Sequence, residues 1–152
     1  TIFAKAADNS DFTIESTDNT IEIFRAWASE FSKFKLNIRT EVQSFIDSQL
    51  DVVVYGIGAR SSCFLNFVDI SKIVSFAIDD DPAKQGKYLP GTSILIRSRE
   101  DGFKLLKENS LVLLGVNGEN ENKLLNEIAP RNKWVFKSIL PPSEHLLSAF
   151  NP

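Results

Sequence analysis

The chain has 152 residues, a length that suits one domain with a sizeable core, and its net charge of −3 gives no general attraction to nucleic acid or to an anionic membrane. No apolar run approaches the ~20 residues that span a bilayer. One cysteine and one histidine cannot build a Cys/His zinc site, so we expect no bound metal. Because Cys63 cannot form an internal disulfide, we expect a cytoplasmic protein. From the charge and the apolar runs we expect no nucleic acid partner and no membrane partner.

The first residues differ in character from the rest of the chain. Residues 1–5 (TIFAK) predict a short strand, and residues 6–19 are rich in Asp, Ser, Thr and Asn, which predicts a linker. A strand at the very start, followed by a linker, suggests a chain cut from a longer protein. We therefore predict that residues 1–18 are a strand and linker left from a preceding domain, and that residues 19–152 form a long helix and a C-terminal domain.

A long amphipathic helix is predicted next. Asn19 and Glu22 have the spacing of an N-cap residue and its reciprocal partner. Apolar residues then recur at three- and four-residue steps, at Phe24, Trp27, Phe31, Phe34, Ile38, Val42 and Phe45. We favour packing of this stripe against the domain's own sheet, which would bury Phe24, Trp27, Phe31 and Phe45. The alternative is an interface, either with a missing domain or with a second copy in a homodimer.

From residue 50 onward, apolar strands alternate with helices. The pattern predicts strands over residues 52–55, 73–78, 93–96, 111–116 and 134–140, and helices over residues 62–67, 98–108 and 119–128. Continuous apolar strands separated by helices are typical of a parallel sheet that is covered on both faces. Because crossovers are right-handed, the predicted fold is α/β, a doubly wound Rossmann-like parallel sheet of five strands in the order 3-2-1-4-5.

A glycine-rich loop follows the first strand at the expected ligand edge of such a sheet. The run from Gly56 to Ser61 (GIGARS) fits the dinucleotide fingerprint, with Ser61 in place of the third glycine. Gly56 and Gly58 let the backbone approach a phosphate, and the helix that follows presents unpaired N–H groups. The side chains of Arg60, Ser61 and Ser62 add donors for phosphate oxygens.

Two further segments converge on the same edge. Asp79 closes the second strand 23 residues after Gly56, a suitable distance for a carboxylate that accepts hydrogen bonds from ribose hydroxyls. Asn117 follows the fourth strand. The alternative is that Gly56 and Gly58 only allow a tight turn and close helix packing, and that Asp79 caps a turn.

Two runs of this chain, YGIGARSSCFLNF from Tyr55 and FAIDDDPAKQGKYLPGTSILI from Phe76, resemble the C-terminal domain of S-adenosylmethionine-dependent sugar C-methyltransferases. The first run carries the family's pattern at Tyr55, Gly56, Arg60 and Asn66. The second carries it at Asp79, Pro82, Lys84, Gln85, Gly86, Pro90, Gly91 and Thr92. The chain departs from the family where Arg60 replaces a lysine, where Ser61 replaces a small residue, and at Val116, which replaces a tryptophan.

The resemblance implies a domain that binds a nucleotide-diphosphate sugar and is not catalytic alone. It implies that S-adenosylmethionine and the catalytic residues belong to a preceding methyltransferase domain of the same polypeptide, and that this chain has no cofactor of its own. From the loop residues and the resemblance together we predict ten substrate-binding residues: Tyr55, Gly56, Gly58, Arg60, Ser61, Ser62, Asp79, Lys84, Gln85 and Asn117.

Two other functions remain open from the sequence. An NAD(P)- or nucleotide-sugar-dependent epimerase or dehydrogenase would need a Tyr-x-x-x-Lys pair or similar acid–base residues, which Tyr55 and Tyr88 lack. A non-enzymatic interaction domain would use the aromatic face between Phe24 and Phe45.

Overall fold

The structure of the protein is a computed structural model that describes residues 18–150, with side chains from residue 21 onward. The predicted strand over residues 1–5 and most of the predicted linker lie outside these residues. The first helix already includes Asp18 and Asn19, so Asn19 is not its N-cap. Within residues 18–150, no helix is long and apolar enough to cross a membrane.

The described elements alternate as the sequence predicts. The helices are α1 (Asp18–Asp47), α2 (Ala59–Phe67), α3 (Arg99–Leu105) and α4 (Gly118–Ile128). The strands are β1 (Val52–Tyr55), β2 (Phe76–Ile78), β3 (Ile96–Arg97), β4 (Leu111–Leu114) and β5 (Val135–Ser138). All neighbouring strands pair in parallel, in the order β3-β2-β1-β4-β5, which confirms the predicted doubly wound α/β sheet.

Side chains from both faces of the sheet are buried, because alternate residues of a strand point to opposite faces. Val52 and Val54 of β1 pack on one face, together with Leu65 of α2. Val53 and Tyr55 pack on the other face with residues of α4, namely Leu124 and Ile128. A strand that is buried on both sides must be apolar throughout, which explains the unbroken VVVY and LVLL runs.

β1 has the predicted bounds, whereas the other four strands are shorter than predicted. β2 begins at Phe76 rather than at residue 73, since the amide of Ile73 donates to the carbonyl of Ile70 in a turn. β3 has only two residues, because the chain before it folds back on itself in an antiparallel bridge between Tyr88 and Leu95. β4 and β5 each end two residues earlier than predicted.

The chain divides after Ser32 into two compact units, and α1 contributes to both. In the second unit, Ile38 and Val42 are fully buried, and Phe34 and Phe45 are half-buried against the same core cluster. This part of the predicted stripe packs as expected.

In the first unit, the predicted burial of Phe24 and Trp27 is wrong. Phe24 is 65% exposed and Trp27 is 62% exposed, whereas Phe31 is half-buried and stacks on Trp27 with 5.6 Å between ring centroids. The physical reason is that the described residues of this unit, 18–32, all belong to α1, and a single helix cannot bury its own apolar face.

Candidate functional site

A pocket of about 430 Å³ opens at the carboxyl edge of the sheet, in the second unit. Its walls are the loop after β1, the end of β2, the first residue of α3, the loop after β4 and one face of α4. This is the edge where the winding of the sheet reverses, which is where open α/β sheets bind ligands.

The glycines of the two central loops have different roles. Gly56 has φ +87°, and a Cβ atom there would lie 2.4 Å from Cγ1 of Val116. A Cβ atom on Gly115 would lie 2.4 Å from the carbonyl oxygen of Gly56, so the loops after β1 and β4 touch. A Cβ atom on Gly58 would meet nothing within 4 Å. Gly56 and Gly115 are therefore required for packing, whereas Gly58 leaves open space at the pocket wall.

The serine hydroxyls stabilise the loop from inside. Helix α2 begins at Ala59, three residues before the prediction, because the Ser62 amide already donates to the carbonyl of Gly58. Ser61 is fully buried, and its Oγ accepts from the Gly58 amide at 2.9 Å and lies 2.9 Å from the Gly56 carbonyl. Ser62 Oγ donates to the Gly58 carbonyl at 2.8 Å. These contacts are internal, and neither serine lines the pocket.

Asp79 lies at the pocket but is occupied by the protein. Its Oδ2 accepts from the Ile57 amide at 2.7 Å and from Lys84 Nζ at 2.9 Å, and its Oδ1 accepts from the Asp81 amide at 2.9 Å. Lys84 Nζ also donates to the Ile57 carbonyl, and Gln85 Nε2 donates to the Asp79 carbonyl at 3.0 Å. Side chains of residues 79–85 thus connect the end of β2 to the glycine loop.

Five of the ten predicted residues line the pocket: Tyr55, Gly56, Gly58, Asp79 and Lys84. Five do not: Arg60, Ser61, Ser62, Gln85 and Asn117. The Arg60 side chain is exposed on α2. Asn117 is the N-cap of α4, with its Oδ1 accepting from the Asn120 amide at 3.2 Å.

Another part of the pocket lining is a network of four bonded side chains, Tyr55, Asp80, Arg99 and Glu127. Of these, the sequence predicted only Tyr55. The Tyr55 hydroxyl donates to Oδ2 of Asp80 at 2.7 Å and accepts from Nε of Arg99 at 2.7 Å. Arg99 pairs with Asp80 through Nη2 at 2.6 Å and with Glu127 of α4 through Nη1. The network connects β1, β2, α3 and α4.

The network shifts the pKa of each central group. Burial and the hydrogen bond to Asp80 raise the pKa of Tyr55 well above its usual value. Burial alone would raise the pKa of Asp80, but hydrogen bonds from Arg99 and Tyr55 outweigh it and lower that pKa. The hydrogen bond to Asp80 raises the pKa of Arg99. At neutral pH the network therefore holds a neutral Tyr55 hydroxyl, a carboxylate and a guanidinium.

One face of α4 forms a further wall. Asn120, Lys123 and Glu127 lie at helical spacing along the pocket, over about 10 Å of the helix axis. Two signals point to the missed residues. Arg99 lies two residues after the end of β3 and so must lie at the carboxyl edge, and the residues of α4 share one helix face.

The described residues of the pocket include neither a metal-binding cluster nor an unpaired acid. Within residues 18–150, no three His, Cys, Asp or Glu side chains are placed to hold a metal ion. The acids of the pocket are engaged in ion pairs, with Asp79 paired to Lys84 and with Asp80 and Glu127 both paired to Arg99.

Comparison with known proteins gives one finding. A search of curated proteins yields no match. Residues 13–134, which are most of the chain, match the model of a family described as C-methyltransferase C-terminal domain. The extent of that match agrees with the resemblance at Tyr55 and Asp79 and with the doubly wound sheet, and the chain therefore belongs to the C-methyltransferase C-terminal domain family.

Proposed function

We propose that this chain is the nucleotide-sugar-binding domain of an S-adenosylmethionine-dependent C-methyltransferase and that it does not transfer methyl groups by itself. The observation that carries the proposal is the pocket at the carboxyl edge of the sheet, with open space beside Gly58. Membership of the family supports the link to methyl transfer.

The Gly58 side of the pocket suits a diphosphate. The first N–H groups of α2 have no partner within the helix, and the helix dipole favours an anion there. Lys123 projects from the neighbouring face of α4 and, among the described side chains, forms no ion pair. An unpaired ammonium beside a helix start can stabilise phosphate oxygens. Lys123 therefore takes the role that the sequence assigned to Arg60.

The paired state of the pocket acids supports a binding role over catalysis. A general base needs a pKa near neutrality, and a cation bonded to a carboxylate favours its charged form. Asp79, Asp80 and Glu127 each accept from a cation, and the pKa of Tyr55 lies above its usual value. That shift is opposite to the one that would make Tyr55 an acid–base group of an epimerase or dehydrogenase. We accordingly assign S-adenosylmethionine and the methyl-transfer chemistry to a preceding domain of the same polypeptide.

A partner surface is a second candidate role, favoured by the exposure of Phe24 and Trp27. Adjacent exposed aromatic residues are typical of interaction sites. We propose that another protein surface, either the preceding domain or a second copy, covers them. Measurement of molecular mass in solution distinguishes the two, since a second copy would double the mass and Trp27→Ser would restore the monomer.

Calorimetric titration with uridine diphosphate glucose and thymidine diphosphate glucose tests the binding proposal. Gly58→Val fills the open space beside the loop and should abolish binding, whereas Gly58→Ala, the matched control, should retain most of it. Neither variant introduces a positive φ or a buried clash, so both should fold. Equal binding by all three proteins, or no binding of either ligand by the unaltered chain, would contradict the proposal.

A further inference from the structure

Two half-exposed carboxylates flank Arg99 in the pocket. The side chain of Asp80 is 53% exposed and that of Glu127 is 51% exposed, although each is bonded to the same guanidinium. They come from the end of β2 and from the third turn of α4, so Arg99 keeps them at a fixed separation across the pocket.

Both carboxylates have acceptor capacity left. Among the residues that the structure describes, Asp80 Oδ1 accepts only from Arg99 Nε, at 3.1 Å, and Oδ2 accepts from Tyr55 and Arg99. Glu127 accepts at Oε1, and among the described residues nothing donates to its Oε2. Because a carboxylate offers about four lone-pair sites, each can accept at least one hydrogen bond from a ligand.

Asp79 is much less suited to this role, although its position in the sequence suggests it. Its side chain is only 10% exposed, and it already accepts from Ile57, Lys84 and Asp81. A ligand hydroxyl would have to displace one of these internal bonds to reach it. The carboxylate that faces the open pocket is the next residue, Asp80.

The charge of this group selects the ligand atoms. Two carboxylates and one guanidinium leave a net charge of −1, which repels phosphate. Neutral donors such as hydroxyl groups can approach carboxylates, and charge-assisted hydrogen bonds of that kind are about twice as strong as neutral ones. The phosphates would therefore lie toward Gly58 and Lys123, and hydroxyls toward Arg99.

We propose that Asp80 and Glu127, held apart by Arg99, bind the hydroxyl groups of a sugar ring. The inference rests on the proposed function and adds the orientation of the ligand in the pocket. The ring is either the pyranose or the ribose of the nucleotide sugar, since both offer neighbouring hydroxyls. Arg99 is a positioning residue, because it contacts the carboxylates and not the hydroxyls.

The experiment uses the full chain and three probes: uridine diphosphate glucose, uridine diphosphate, and 2′,3′-dideoxyuridine diphosphate, which lacks both ribose hydroxyls. Asp80→Asn and Glu127→Gln keep the shape of each side chain and remove its charge. Asp81→Asn and Glu119→Gln are the matched controls, since they lie in the same loop and the same helix but outside the pocket lining. Thermal unfolding checks the fold of every variant.

If the pyranose is bound, Asp80→Asn and Glu127→Gln should weaken the binding of uridine diphosphate glucose alone, by about five- to tenfold. If the ribose is bound, they should weaken the binding of uridine diphosphate glucose and of uridine diphosphate, and leave the binding of the dideoxy probe unchanged. If the binding of all three probes is weakened equally, or no more than in the control variants, the inference is overturned and the proposed function is left intact. No binding of any probe by the unaltered chain would overturn both.

Discussion

The Tyr55 hydroxyl connects β1 to the end of β2 by donating to Oδ2 of Asp80 at 2.7 Å. The phenol ring is buried in the sheet core, whereas Asp80 is at the surface of the pocket. A single side chain therefore links the packing of the central strand to the charged part of the site. The free energy of unfolding should therefore depend on the protonation state of this pair.

Tyr55→Phe should lower the free energy of unfolding at pH 7 by about 1.5 kcal/mol or more, because the hydroxyl loses its hydrogen bonds with both Asp80 and Arg99. Burial and Asp80 raise the pKa of Tyr55 in the folded state. Its contribution is therefore fully present below the unfolded pKa of about 10 and is lost as pH rises above it. Urea unfolding at neutral and alkaline pH should show the unaltered protein losing its advantage over Tyr55→Phe above about pH 10. A constant difference across that range would contradict the linkage, and Tyr88→Phe, at an exposed tyrosine, is the control.

Ser61→Ala should destabilise the chain by about 1–2 kcal/mol, since the Gly58 amide loses its acceptor and the hydroxyl is fully buried. Ser62→Ala should change stability by less than about 0.5 kcal/mol, because that side chain is partly exposed. Urea unfolding of both variants makes the comparison. Unchanged stability in Ser61→Ala, together with weakened nucleotide-sugar binding, would restore the sequence-based role of Ser61 as a phosphate donor.

Gly115→Ala should cost about 2 kcal/mol or more, because the added methyl group would lie 2.4 Å from the Gly56 carbonyl and 2.7 Å from Ser61 Cβ. The same change at Gly58 meets open space and should alter stability by less than about 1 kcal/mol. Chemical denaturation gives both values. Similar costs at the two positions would show that the loops after β1 and β4 do not touch as described.

Trp27 and Trp134 should differ in solvent access. Trp27 is 62% exposed, whereas Trp134 is half-buried, with 4.7 Å between its ring centroid and that of Phe103. Acrylamide should quench the fluorescence of Trp134→Phe, which retains Trp27, more strongly than that of Trp27→Phe. Weak quenching of Trp27 in dilute protein would mean that its ring is covered in the isolated chain.

The sheet could be predicted from the sequence because its determinants are local. Apolar runs such as Val52–Tyr55 mark strands, and right-handed crossovers then restrict the strand order. The exposure of Phe24 could not be predicted, because periodicity shows which residues share a helix face and not what covers that face.

The site was only partly predictable because its contacts join distant positions. The spacing from Gly56 places Asp79 at the correct edge, but the direction of its carboxylate depends on Lys84 and the Ile57 amide. Arg99 and Glu127 are 28 residues apart, and in the sequence they resemble any pair of solvated surface charges. Their role follows only from the packing of α3 and α4 at the same sheet edge.

Chemical-shift mapping of the isotope-labelled chain with uridine diphosphate glucose shows directly whether a nucleotide sugar binds at the carboxyl edge of the sheet. We predict that the largest changes occur at the backbone amides of Gly58, Gly115 and Lys123, which surround the pocket. The amides of Cys63 and Phe67, on a separate apolar surface of α2, should not respond. Changes confined to that α2 surface, or no changes at saturating ligand, would contradict binding at the carboxyl edge.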